Sequence, residues 1–255
     1  VENNLITGFL VINKPKDYTS FQCIYHLKKL LPKKIRLRQG FVPQAKIGHT
    51  GTLDPFATGL LIVCIGKNAT KLVPTFMDLY KQYKVKAKLG EQTDTLDYTG
   101  EVLLTQDTTN ITKDEILTAI QQLGKEYVQL PPIYSALKHK GKPLCELARK
   151  QKFSTKELEK IIETKKRTVQ LYRLELDNFE SPYFSFTALV SKGTYIRSLA
   201  NDIAQNVGVN ATTYKLTRTK IGNFDIKNAI SLLDIQTMQD IEKNLILLEN
   251  LRSII

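Results

Sequence analysis

At 255 residues and 42% hydrophobic content, the chain is long enough for one large domain or two small ones with an adequate core. Its net charge of +12 favours a polyanionic partner without identifying it. Cys23, Cys64 and Cys145 are scattered and odd in number, so they read as reduced thiols of a cytosol-like compartment rather than a disulfide framework. Three distant histidines give no zinc pattern, and no signal peptide, membrane span or long repeat is visible.

In chain order, GFLVINKP (Gly8 to Pro15) predicts a short apolar strand, and the proline also reads as the end of an edge strand. Thr19 or Ser20 is placed to cap a helix with Phe21, Ile24, Leu27 and Leu31 on one face. Between Pro32 and Lys46 stand Lys33, Lys34, Arg36, Arg38 and Lys46 with no acidic residue. A basic loop there serves either phosphate contacts or simple solvation. Next comes GHTGTLDPFATGLL (Gly48 to Leu61), which places His49 and Asp54 among glycines. Pro55 pushes the backbone of Asp54 towards an extended form, so a stiff loop presents the carboxylate. Leu60 to Ile65 reads as a buried strand, and a reactive group on a loop anchored by such a strand is a common active-site design. A bare Asp-Pro would be an ordinary turn; the full string is more specific.

Ala69 to Tyr80 has helical character interrupted by Pro74. From Tyr83 to Gly90 the alternation is strict, with Tyr83, Val85, Ala87 and Leu89 opposite Lys84, Lys86 and Lys88, as in a strand with one wet face. Asp94 and Asp97 in GEQTDTLDYTGEV lack EF-hand spacing, so calcium is rejected. Thr112 and Glu115 form a capping box, and Gly124 ends that helix. Leu130 to Lys150 offers Tyr134, Lys138, His139, Lys140, Lys142, Arg149 and Lys150. Cations with an aromatic suit phosphates and an unstacked base, and equally a solvent-facing hairpin. A surface helix over residues 152–166 and strands over 167–176 and 183–192 follow. The helix within SKGTYIRSLANDIAQNVG would bury Ile196, Leu199, Ala200, Ile203 and Val207. ATTYKLTRTKIGNF ends at Phe224, and the remainder reads as one or two amphipathic helices.

The string from Gly48 to Leu61 resembles the catalytic motif G-H-x-G-x-L-D-P-x-A-x-G of TruB-type tRNA pseudouridine synthases. K-P at residues 14–15, K-x-Y-x-V around Tyr83, the thumb-like stretch from Leu130, K-G-T-Y-I-R at residues 192–197 and the stretch around Leu216 follow in order, so the resemblance covers roughly residues 8–224. It implies an α/β (α+β) pseudouridine-synthase fold: a long, mixed, mainly antiparallel sheet flanked by helices, with an RNA-binding thumb inserted at about 130–152. Residues 1–224 would form the catalytic domain and 225–255 a C-terminal helical segment, with no PUA domain expected. Asp54 would be the catalytic residue. Tyr83 would stack on the base, Tyr195 line its pocket, Arg197 pair with Asp54, and Leu216 pack against the pocket. His49 would occupy the vacated stack after base flipping. Lys14 would support the site floor and join Arg36, Arg38, Lys46, Lys138, Lys140, Lys142 and Arg149 as RNA-binding cations. The chain departs from the family at Asn13, often Asp, and at Thr217, often Arg.

The chemistry agrees with these residue types. Pseudouridine formation breaks a glycosidic N–C bond and rejoins the base through carbon. One positioned carboxylate, as nucleophile or base, suffices without a cofactor or metal. A glycoside hydrolase would want two carboxylates, and the catalytic stretch has only Asp54. No Walker or dinucleotide pattern occurs. The resemblance implies uridine 55 in the tRNA T stem-loop as substrate, flipped out for reaction, and a monomer in the cytoplasm or an organelle, away from membranes. The competing readings are a non-catalytic tRNA-binding or folding protein, against which Asp54, Tyr83, Tyr195 and Arg197 stand together, and a dyskerin-type guide-RNA-dependent enzyme, against which the thumb-like stretch argues.

Overall fold

The computed structural model describes residues 7–37, 40–150 and 153–253. In chain order its elements are β1 (Gly8–Lys14), α1 (Ser20–Leu30), β2 (Lys34–Leu37), β3 (Gly40–Pro43), β4 (Ile47–His49), β5 (Thr58–Ile65), α2 (Lys67–Lys71), α3 (Val73–Asp78) and β6 (Lys81–Leu89). They continue with β7 (Glu91–Thr93), β8 (Val102–Thr105), α4 (Lys113–Gln122), β9 (Glu126–Gln129), β10 (Lys138–His139), β11 (Lys142–Pro143), α5 (Leu144–Arg149), α6 (Thr155–Glu163), β12 (Arg167–Glu180), β13 (Tyr183–Val190) and α7 (Ile196–Gln205). The last are β14 (Ala211–Ile221), β15 (Phe224–Asp225), β16 (Ile230–Ser231), α8 (Met238–Asn244) and β17 (Ile246–Leu247). Two compact units result: Val1–Gln82 with Thr217–Ile255, and Tyr83–Leu216, the boundaries falling inside β6 and β14.

The first unit is built on β1 and β5, paired antiparallel from Gly8↔Ile65 to Lys14↔Gly59. Both strands are continuous apolar runs because both of their faces are covered. On one face Leu10, Ile12, Leu61, Val63 and Ile65 meet Cys23, Ile24 and Leu27 of α1 together with Leu232, Ile235 and Ile241. On the other, Phe9, Val11, Leu60, Ile62 and Cys64 meet Ala69, Phe76, Ile221 and Phe224. β5 also pairs with β4, antiparallel, and with the end of β14, parallel at Thr217↔Thr58 and Arg218↔Gly59.

Four expectations change here. β1 is no edge: β16 pairs with it parallel and β17 antiparallel. The segment after residue 225 is therefore helical only in short pieces, α8 and the 3₁₀ turns Ile226–Asn228, Leu232–Asp234 and Leu248–Ser253, with two-residue strands between them docking on β1. In α1 the buried stripe is Ser20, Cys23, Ile24 and Leu27, while Phe21 is 73% exposed. One residue of helical offset, 100°, is enough to turn Phe21 out of that stripe. The basic stretch 32–46 contains an antiparallel hairpin, β2 with β3, rather than a plain loop.

In the second unit β12 pairs antiparallel with β9 and β13, with β6 between β13 and the first part of β14. β6 begins at Lys81, two residues before Tyr83, and keeps the expected alternation, Tyr83, Val85, Ala87 and Leu89 being buried. The capping box of α4 forms, with Gly124 at φ +67° just past the helix. β7 and β8 pair antiparallel, Glu91 opposite Thr105, on either side of the stretch that holds Asp94 and Asp97. α7 buries Ile196, Leu199, Ala200 and Ile203, but Val207 lies beyond its end and is only half-buried. The thumb-like stretch is a hairpin, β10 with β11, followed by α5, and α6 packs Ile162 against Leu144 and Leu147 of α5.

Candidate functional site

The loop carrying Asp54 is fixed at nearly every residue of its backbone. Thr50 N–H donates to Ile62 O (3.1 Å), continuing the β4–β5 pairing. The N–H of Leu53 donates to Ser20 Oγ (2.9 Å) at the first turn of α1. Beyond Asp54, Ala57 N–H closes a turn on Asp54 O (3.1 Å), with Pro55 presetting its second position. Pro55 O accepts from Asp17 N–H (2.9 Å) and from Lys14 Nζ (3.0 Å). Asp54 thus stands half-buried between two clamped neighbours, Leu53 and Pro55.

Lys14 corrects a sequence expectation. It is fully buried, and Nζ donates to the carbonyls of Pro15 (2.9 Å), Tyr18 (2.6 Å) and Pro55 (3.0 Å). Three carbonyls use its three donors, so it braces the loop and offers nothing to a phosphate. Burial pulls its ammonium down to about 8, against the opposing influence of Cys23, Asp54 and Asp17.

Arg218 lies beneath the same loop and was not singled out by the sequence. It is 1% exposed, with Nε donating to Leu60 O (2.7 Å) and Nη2 to Gly51 O (3.2 Å). Gly59 makes room for it: a Cβ there would lie 2.3 Å from Arg218 O, and φ is +110°. His49 Nδ1 accepts from Gly51 N–H (3.3 Å), and burial, then the Arg218 charge, hold its imidazole below the ordinary value. With Nδ1 accepting, the neutral ring carries its proton on Nε2. The alternation of buried Leu216 and Arg218 along β14 was the available signal, since an inward-facing charge on a strand needs a partner. Thr217 Oγ1 shares a hydrogen bond with Thr58 Oγ1 (2.9 Å) across the β14–β5 register.

The remaining expected pocket residues lie in the second unit. Arg197 is buried, 4% exposed. Its Nη1 donates to Thr95 O (2.5 Å) and lies 3.4 Å from Asp97 Oδ2, and Nη2 donates to Tyr134 O (2.9 Å). Tyr195 is the N-cap of α7. The fully buried Gln129 receives its N–H (2.7 Å) and donates to its carbonyl (3.0 Å), and the Arg167 guanidinium lies 5.2 Å from its ring. Tyr83 and Leu216 are buried. Gln129, which holds Tyr195, carried no mark in the sequence beyond being polar, whereas Asp97, beside Arg197, was weighed there only as a calcium ligand.

Among the expected RNA-binding cations, Lys46, Lys138, Lys140, Lys142 and Arg149 are exposed. Lys140 (φ +47°) and Gly141 (φ +82°) form the hairpin tip. Arg36 lies on β2, and Arg38 falls outside the described residues. Lys150 is paired with Glu146 (2.7 Å). Among the described residues no three His, Cys, Asp or Glu side chains converge as a metal site, and no helix is long and apolar enough to cross a membrane.

Comparison with known proteins adds the following. The family model described as TruB family pseudouridylate synthase (N terminal domain) matches residues 38–196. The chain is 41% identical over 230 residues to the tRNA pseudouridine synthase B of Clostridium tetani, covering 90% of this chain and 73% of that protein. It is 38% identical over 241 residues to the protein of that name from Protochlamydia amoebophila, covering 94% and 84%. Among solved structures, a chain of a Cbf5–Nop10–Gar1 complex aligns with TM-score 0.62 and 27% identity, and an H/ACA RNP bound to a substrate RNA containing 2'-deoxyuridine with TM-score 0.60 and 24% identity. Each alignment covers 89% of this chain and about half of the other, 53% and 52%.

Proposed function

Since the chain belongs to the TruB family of pseudouridylate synthases and is a tRNA pseudouridine synthase, an isomerase, we propose that it converts uridine 55 in the T stem-loop of tRNA to pseudouridine with Asp54 as its catalytic residue. The observation that carries this reading is the clamped loop: Ser20 holds Leu53 and Lys14 holds Pro55, so the carboxylate between them is presented with little freedom. The reaction cleaves the bond from ribose C1' to N1 and forms one from C1' to C5 of the same uracil. The hydrogen on C5 leaves as a proton, and N1 ends protonated. No electrons are exchanged with any other group. A carboxylate serves such a sequence by covalent attack or by accepting a proton.

The same proposal gives His49 the place vacated by the flipped base, for which its neutral ring, kept so by burial and Arg218, is suited. Tyr83, Tyr195, Arg197 and Leu216 take the base-pocket and supporting roles. Arg36, Arg38, Lys46, Lys138, Lys140, Lys142 and Arg149 take phosphate contacts, and the enzyme acts as a monomer. The test is to incubate the protein with unmodified tRNA and map pseudouridine by chemical sequencing. Parent protein should modify uridine 55. Asp54→Asn should lose turnover while binding tRNA within a few fold of the parent. Near-parental pseudouridine formation by that variant would sink the assignment.

A further inference from the structure

From Tyr18 to Leu53 the sequence contains no Asp or Glu, while seven Lys and Arg residues fall within it. α1 occupies the first part of this stretch and connects to the catalytic loop at one end, where Ser20 Oγ accepts from the N–H of Leu53, the residue before Asp54. At the other end Gln44 Nε2 donates to Lys28 O (2.8 Å) and Leu31 O (3.1 Å), which ties the segment following β3 to the last turn of the helix. A stretch with no carboxylate of its own therefore runs from beside Asp54 along α1 to the β2–β3 hairpin.

Two aromatic rings stand on that surface. Phe21 is 73% and Tyr25 53% exposed, although the same helix buries Cys23 and Leu27 completely. Spaced i, i+4, they are neighbours one turn apart on one flank. The ammonium of Lys29 lies 4.5 Å from the Tyr25 ring centroid, within cation–π range. A single exposed apolar residue is ordinary. Two rings in register, with a cation over one and no carboxylate on the element, have the composition of a site for an unstacked base and its phosphates. A second copy of this chain is disfavoured as occupant, because it would bring like charge against like charge.

We propose that the Phe21–Tyr25 flank of α1 is a stacking platform for an unpaired nucleobase of the RNA substrate, with Lys28 and Lys29 meeting the adjoining phosphates. The inference rests on the proposed function only for the choice of tRNA as probe. Its test uses the absence of tryptophan from the chain. Phe21→Trp introduces a lone fluorophore, whose emission should be quenched on titration with unmodified tRNA. The double variant Phe21→Ser/Tyr25→Ser should bind the same tRNA about tenfold or more weakly, a loss within the range reported for base–aromatic contacts. Because both side chains are largely exposed, its thermal unfolding should match the parent. Lys28→Gln/Lys29→Gln should flatten the salt dependence of binding, which the aromatic variant should leave unaltered.

Unchanged emission in the tryptophan variant, or parental affinity in the double serine variant, overturns the platform. Self-association lost in the serine variant with RNA affinity intact assigns the face to a second copy and overturns it as well. Quenching and weakened binding without any pseudouridine formation by the parent would keep the platform and defeat the proposed function. Pseudouridine formation with no effect of the serines would do the reverse.

Discussion

Arg218 braces the loop that carries Asp54 from beneath. A guanidinium this deeply buried is destabilising unless its donors are used, and two of them hold the carbonyls of Gly51 and Leu60 on either side of Asp54. Its charge also adds to burial in keeping His49 neutral. Replacing Arg218 by Gln should loosen Gly51 and let the imidazole of His49 titrate at higher pH. Arg218→Lys should keep that titration low while losing the two-pronged hold. The check is an NMR titration of His49 alongside single-turnover rates. We expect the glutamine variant to be slowed at least tenfold and most severely at acidic pH, where the ring then gains a proton. An unmoved His49 titration would remove the electrostatic part of the argument. His49 and Asp54 were picked out by the resemblance of the Gly48–Leu61 string to a known catalytic motif, since a bare Asp-Pro among glycines reads as an ordinary turn. Arg218 was legible only as a charge on the buried side of a strand. Ser20, which anchors Leu53, was not legible, because a hydroxyl near a helix start reads equally well as a cap.

At the scale of elements, the helices and long strands followed local rules. Thr19 closes the capping box with Gln22, Thr112 with Glu115 and Ser154 with Glu157, and β6 alternates from Tyr83 to Leu89 as Lys84, Lys86 and Lys88 require. What escaped were elements that exist only through a partner. Ile230–Ser231 and Ile246–Leu247 are strands because β1 offers them hydrogen bonds, and two residues carry no periodicity of their own. Phe21 escaped for the opposite reason: an apolar residue near a helical face was assigned to it although the burial stripe passes one position away. α7 yields a pH prediction. Burial pushes the carboxyl of Asp202 up from its ordinary 3.8 to about 7. Between these values the folded chain holds a proton that the unfolded chain has released, so stability falls as pH rises through that window and levels off above about 7. Asp202→Asn mimics the protonated form. It should be more stable than the parent at about pH 8 and close to it at about pH 4, as read from urea midpoints at the two pH values. Equal midpoint differences at both would show that the carboxyl does not titrate there.

The molecule as a whole carries +12, and for a protein that binds tRNA this charge sets how affinity responds to salt. Each phosphate neutralised contributes about 0.7–0.9 to the slope of log affinity against log salt, because binding releases a condensed counterion. Only cations with free access to phosphate count. Lys14 is excluded because its ammonium is sealed among three carbonyls, and Lys150 is discounted by its pairing with Glu146. Lys138, Lys140 and Lys142 are different: all three are exposed on the β10–β11 hairpin, whose tip projects at Lys140 and Gly141. That hairpin is anchored through Leu144 and Leu147 of α5, which pack with Ile162, so its lysines are removable without disturbing a core. Changing the three to Gln should lower the magnitude of the salt slope by up to about two to three units and weaken binding most at low salt. The uridine that reacts should not change, because point charges on phosphates position the RNA without reading its bases. Filter binding over a salt series, with pseudouridine mapping on the same tRNA, measures both effects for parent and triple variant. A slope unaltered by the three substitutions would remove the hairpin from the phosphate contacts and leave that role to Lys46 and Arg149 and to the cations of the stretch before Asp54.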